Sequence, residues 1–93
     1  PGLPEALLAQ LVAFIQLLRV QNIRKPPSMA ESVDWARTLL LLHADALDEA
    51  LVRDTLNVLL KRETDIQEVQ GTLGQLTQAA VQAAAVPAAR TPA

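Results

Sequence analysis

Apolar residues recur along this chain at steps of three and four, the period of an α-helix. Leu7, Leu8, Leu11, Val12, Phe14, Ile15 and Leu18 form the first such stripe, with Gln10, Gln16 and the small Ala13 on the other side. Leu17 widens it, so the helix is expected to pack on more than one neighbour. It spans about four to five turns, with Pro4 at its start and Glu5 complementing its dipole. The period stops near residues 20–22. It resumes after Pro26-Pro27, a pair that no helix runs through. Ser28 and Glu31 have the spacing of a capping box, which predicts a second helix from Ser28 to about Leu42. Val33, Ala36 and Leu40 form one apolar line on it, and Trp35, Leu39 and Leu42 the adjacent one. Asp34 and Arg37 can pair at i,i+3.

Residues 43–48 break the period again. Asp48, or alternatively Asp45, caps a third helix whose buried stripe is Val52, Thr55, Leu56, Leu59 and Leu60. Glu49 and Arg53 stand at i,i+4 in the favourable order. The charged run at 61–65 marks a helix end or kink. Ile66, Val69, Leu73 and Leu76 carry a last stripe, weakened by Gly71 and Gly74. The pattern predicts an all-α fold, a small bundle of about four helices over residues 1–76. Residues 77–93 read as an Ala-rich tail, frayed as helix to about Val86 and disordered past Pro87.

Composition narrows the function. The chain has 93 residues, 51% of them apolar, with Phe14 and Trp35 the sole aromatics, so its core is aliphatic. Trp35 reads as a core anchor whose indole N–H needs an acceptor. A formal net charge of −2 argues against a nucleic-acid partner held by the whole surface. No apolar run reaches the roughly 20 residues that span a bilayer. The absence of cysteine fits a reducing cytoplasm and excludes thiolate metal sites. His43 stands alone, better suited to a helix C-terminus than to a metal. Pro1-Gly2-Leu3-Pro4 lacks both Met and a signal-peptide start, which reads as a cut inside a longer protein.

Motifs of phosphate loops, zinc proteases, nucleophile elbows and paired His/Cys are not found, and the carboxylates fall mostly on polar faces. An isolated enzyme is not expected. One stretch stands out. Arg24-Lys25-Pro26-Pro27-Ser28 is a stiff basic loop on a helix N-terminus. It is either a plain helix start or a place for phosphate, since free N–H groups and the dipole favour an anion there.

The segment from Ile23 to Arg37, Ile-Arg-Lys-Pro-Pro-Ser-Met-Ala-Glu-Ser-Val-Asp-Trp-Ala-Arg, resembles the carboxy-terminal part of MoxR-type AAA+ ATPases. So does Leu56 to Ile66, with its Leu-Leu-Lys-x-x-x-Asp-Ile core. The likeness covers about residues 1–70. It implies a helical lid subdomain following a nucleotide-binding domain that would hold the Walker and sensor elements. The parent would be a ring-forming, typically hexameric ATPase, using ATP and Mg²⁺, while the fragment alone would hold neither. Its implied action is chaperone-like remodelling, the lid closing over ATP and relaying hydrolysis between subunits. The implied partners are its own AAA+ core, neighbouring ring subunits and a protein with a von Willebrand factor A domain. The lid is expected to put Arg24, Lys25 and Ser28 near the nucleotide. No arginine stands in the first turn after Ser28, where many such lids carry the sensor 2 residue, so Arg24 or Lys25 would supply that charge. The rival reading is a stand-alone helical adaptor that binds a partner through Leu-rich faces.

Overall fold

A computed structural model describes residues 2–85. They form five α-helices and no strand: α1 (Glu5–Arg19), α2 (Met29–Leu41), α3 (Glu49–Leu59), α4 (Glu63–Gln70) and α5 (Leu73–Ala85). The all-α bundle is as expected. The last apolar stripe is divided into two helices at Gly71 and Thr72, where the Thr72 N–H turns back to the Val69 carbonyl at 3.1 Å.

Helix starts follow the local chemistry. Pro4 is the N-cap of α1, one residue ahead of the first helical position. At α2 the Glu31 N–H donates to Ser28 Oγ at 3.1 Å, and the Ser28 N–H donates to Glu31 Oε1 at 2.9 Å, closing the capping box. At α3 the Asp48 carboxylate accepts the Leu51 N–H at 2.8 Å. The Gln10 side chain reaches into the preceding loop, accepting the Leu47 N–H at 2.8 Å.

The end of α2 is a Schellman turn. The Ala44 N–H reaches the Leu39 carbonyl at 3.1 Å and the His43 N–H reaches the Leu40 carbonyl at 3.0 Å. His43 takes the left-handed position with φ 57°, where a Cβ is strained. His43→Gly relieves that strain at the cost of a looser unfolded chain. The expected net gain is about 0.5–1 kcal/mol, seen as a higher urea midpoint at unchanged slope. A lower midpoint would show that the imidazole makes a contact worth more than the strain.

The core joins the two ends of the described chain. α1 packs most extensively on α5, α2 on α3, and α3 also on α5, while α1 touches α2 only slightly. Leu7, Phe14 and Leu18 of α1 are fully buried, as are Trp35 and Leu39 of α2. The whole expected stripe of α3 is buried: Val52, Thr55, Leu56 and Leu59, with Leu60 just beyond. Trp35 donates its indole N–H to Thr55 Oγ1 at 2.7 Å. The Thr55 hydroxyl in turn donates a hydrogen bond to the Leu51 carbonyl at 2.9 Å. The Phe14 ring lies 5.4 Å from that of Trp35, tilted by 43°, a favourable aromatic arrangement.

Three expectations differ from what is observed. The line of Val33 and Leu40 on α2 is not core, and neither is Leu42; all three are exposed. Helix α2 leans on α3 rather than on α1, so its α1-facing line is left half open. Leu8 and Val12 of α1 are open for the same reason. Asp34 and Arg37 form no ion pair; the pairs among the described residues are Lys25–Glu31 and Glu49–Arg53. The boundary expected after Leu76 falls inside α5, which buries Thr77 and Ala80. Small side chains there let α5 approach α1 closely, so an Ala-rich stretch serves as a packing surface. Close approach recurs at Gly74, where an added Cβ would lie 2.6 Å from Glu49 Oε1. The segment past Pro87 lies outside the described residues.

Candidate functional site

The basic loop between α1 and α2 is held at three points. Arg19, in the last turn of α1, donates from its guanidinium to the Pro27 carbonyl at 2.9 Å. Ser28 is fixed by its capping box. The third point comes from far along the chain. The Asp65 carboxylate, in the first turn of α4, accepts the Arg24 N–H on Oδ1 at 2.8 Å and the Lys25 N–H on Oδ2 at 2.9 Å. Successive amides meeting both oxygens of one carboxylate form a fork that satisfies four polar atoms at once. Pro27 is buried within this corner, while Arg24, Lys25 and Pro26 face outward.

Charge explains why the fork is stable. Asp65 is only 2% exposed, and a carboxylate so placed stays ionised only if it is well bonded. The Arg24 N–H chiefly holds its carboxyl below the usual carboxylate range, with the Lys25 N–H and the charges of Arg62 and Arg24 adding, against burial, which raises it. Glu31 is likewise held low, chiefly by the Ser28 N–H and further by the Lys25 charge. Lys25 Nζ stands 3.5 Å from Glu31 Oε2.

The expected site residues therefore come together, but with much of their donor capacity already used. The backbone N–H groups of Arg24, Lys25 and Ser28 all point to carboxylates of this chain. Ser28 Oγ accepts the Glu31 N–H. The backbone cradle of this loop does not fit a phosphate, because Asp65 and Glu31 occupy the anion positions. What it offers is side-chain charge: the Arg24 guanidinium and the Lys25 ammonium, on a loop fixed from behind. The Lys25 ammonium is already paired with Glu31, the Arg24 guanidinium is in no ion pair among the described residues, and neither carboxylate is free for Mg²⁺. No three His, Cys, Asp or Glu side chains cluster to hold a metal among the described residues.

Asp65 is the residue that sequence reasoning misses. It lies in a charged run that reads as a solvated helix start, and its partners are 41 and 40 positions away. The one signal for it is its place in the segment Leu56 to Ile66 quoted above.

No helix among the described residues is long and apolar enough to cross a membrane. No protein-family model, no curated protein and no solved structure matches this chain.

Proposed function

We propose that this chain is the carboxy-terminal lid subdomain of a MoxR-like AAA+ ATPase, closing over ATP and relaying hydrolysis between ring subunits in the cytoplasm. The observation that supports it most is the meeting of the two segments that carry the resemblance. Arg24 and Lys25 of the first are bonded to Asp65 of the second. Trp35 of the first lies over α3, against Thr55, one residue before the second begins. Segments with one origin are expected to form one unit.

In this reading the lid presents Arg24 and Lys25 toward the phosphates from a loop that cannot sag, because Asp65, Arg19 and the capping box fix its backbone. Bound ATP and Mg²⁺ supply the phosphoryl chemistry, and the parent's core domain holds the metal. The lid contributes positioning and charge. Its partners are its own AAA+ core, the neighbouring ring subunits and a client with a von Willebrand factor A domain.

ATP turnover by the complete polypeptide that carries this chain tests the proposal. Arg24→Glu or Lys25→Glu is expected to lower turnover about tenfold or more, as loss of a phosphate-facing cation in a closed site does. The melting temperature should stay near that of the parent for Arg24→Glu, whose side chain is exposed; Lys25→Glu also loses the Glu31 pair, a surface contact worth at most about 1 kcal/mol. Absence of ATP hydrolysis by the complete polypeptide overturns the lid reading. Turnover within about twofold of the parent in both variants, a difference of only ~0.4 kcal/mol, assigns the loop a purely structural part.

A further inference from the structure

Between α1 and α2 runs an apolar trough that the core does not use. Its two adjoining cavities, of about 350 and 390 Å³, share Leu8, Val33 and Ala36. Leu11 and Ile15 form its buried floor. From Met29 to Leu40 it follows α2 for roughly 16 Å at the helical rise of 1.5 Å per residue, about three turns. Its rims are half covered: Leu8 is 47%, Val12 45%, Val33 42% and Leu40 41% exposed. Each keeps about half its surface for another molecule. The charged side chains lining the trough are both arginines, Arg19 at one end and Arg37 at the other, with no carboxylate among them.

We propose that this trough is a docking groove for an acidic amphipathic helix of a separate partner protein. A helix laid in a groove between two others presents apolar anchors at i, i+3 or i+4 and i+7, and three turns of groove accept one such set. Cations at both ends select carboxylates flanking those anchors. A second copy docked trough to trough would bring arginine against arginine. Residues 86–93 carry Arg90 and no Asp or Glu, so they lack the matching charge. Exposed rim charges act on encounter rate and selectivity more than on permanence, and the half-wet rims tolerate being uncovered. Both suit a partner that comes and goes. The inference goes beyond the lid reading and does not rest on it.

The chain has no cysteine, so Val12→Cys in the complete polypeptide places a single thiol of this chain on the rim. The probe is a synthetic helix of about 18 residues, long enough for the three-turn contact with ordered ends. It carries Leu at i, i+4 and i+7 and Glu on both flanks. A second probe has Lys in place of Glu. The Glu probe is expected to slow thiol modification saturably, and the Lys probe to have no effect. Arg37 is exposed and forms no ion pair among the described residues, so Arg37→Glu should leave the melting temperature unchanged. It should weaken the Glu probe about tenfold and admit the Lys probe. The proposal is overturned by a Glu probe that gives no protection, by equal protection from both probes, or by indifference to Arg37→Glu. A thiol already protected before any probe is added also overturns it. In that case the occupant is the polypeptide's own remainder if the protein sediments as a monomer, or a second copy if it sediments as a dimer. ATP turnover, which decides the lid reading, is measured separately and is not expected to follow these outcomes.

Discussion

Trp35→Ala is expected to destabilise the bundle by about 3–5 kcal/mol, the usual cost of truncating a fully buried aromatic. A domain of this size has only about 5–15 kcal/mol in all, so the variant will be largely unfolded well before the parent melts. Three losses combine. The indole is fully buried, its ring contact with Phe14 disappears, and the α2–α3 contact loses its largest side chain. The polar part can be isolated. Thr55→Val keeps the shape but leaves the indole N–H buried without an acceptor, at a cost of about 1–3 kcal/mol. In a Trp35→Phe background no donor remains to be stranded, and Thr55→Val should be nearly neutral. Urea midpoints of the four proteins measure this coupling. Equal effects of Thr55→Val in both backgrounds would show that the hydrogen bond contributes nothing.

Asp65→Asn should have the second largest effect, and it should depend on pH. One of the two backbone donors then faces an amide NH₂ in place of an oxygen. Arg24 and Lys25 amide hydrogen exchange should speed up by about tenfold or more as the loop opens locally. The folded protein holds the Asp65 proton less tightly than the unfolded chain does, because the carboxyl is depressed below its ordinary value of 3.8. Its contribution to stability is therefore complete above that value and is lost as pH falls through the lower folded value. The parent and Asp65→Asn should differ most at neutral pH and converge in acid. Glu31, also depressed, leaves a residual acid dependence in the variant. A constant gap between parent and variant down to about pH 2 would mean that the fork does not depend on ionisation.

Much of the fold was legible wherever its cause is local. Ser28 and Asp48 begin helices because their oxygens meet N–H groups three residues on, a distance visible in the sequence. The stripe of α3 was read correctly because that helix is apolar on one face only. On α1 and α2 apolar residues cover more than one face, and periodicity does not say which face finds a neighbour. Val33 and Leu40 look like core in one dimension and become groove wall because α2 leans on α3. The candidate loop was legible as basic, stiff and capped. Its occupancy was not, since Asp65 arrives from α4 and nothing near residue 24 signals a carboxylate 41 positions later. Helix α5 was under-read because Ala and Thr carry little hydrophobic signal, while their small size is what lets two helices approach.

The pairing of α1 with α5 has a consequence for how the chain is made. Among the described residues the first helix finds its main neighbour in the last, so α1 is synthesised well before the helix that covers it most. Until residues 73–85 have left the ribosome, α1 lacks its main cover, although Phe14 can already meet Trp35. Contacts so distant in sequence also delay the closing step of folding. The bundle should accordingly close only once α5 is available, whatever has formed before it.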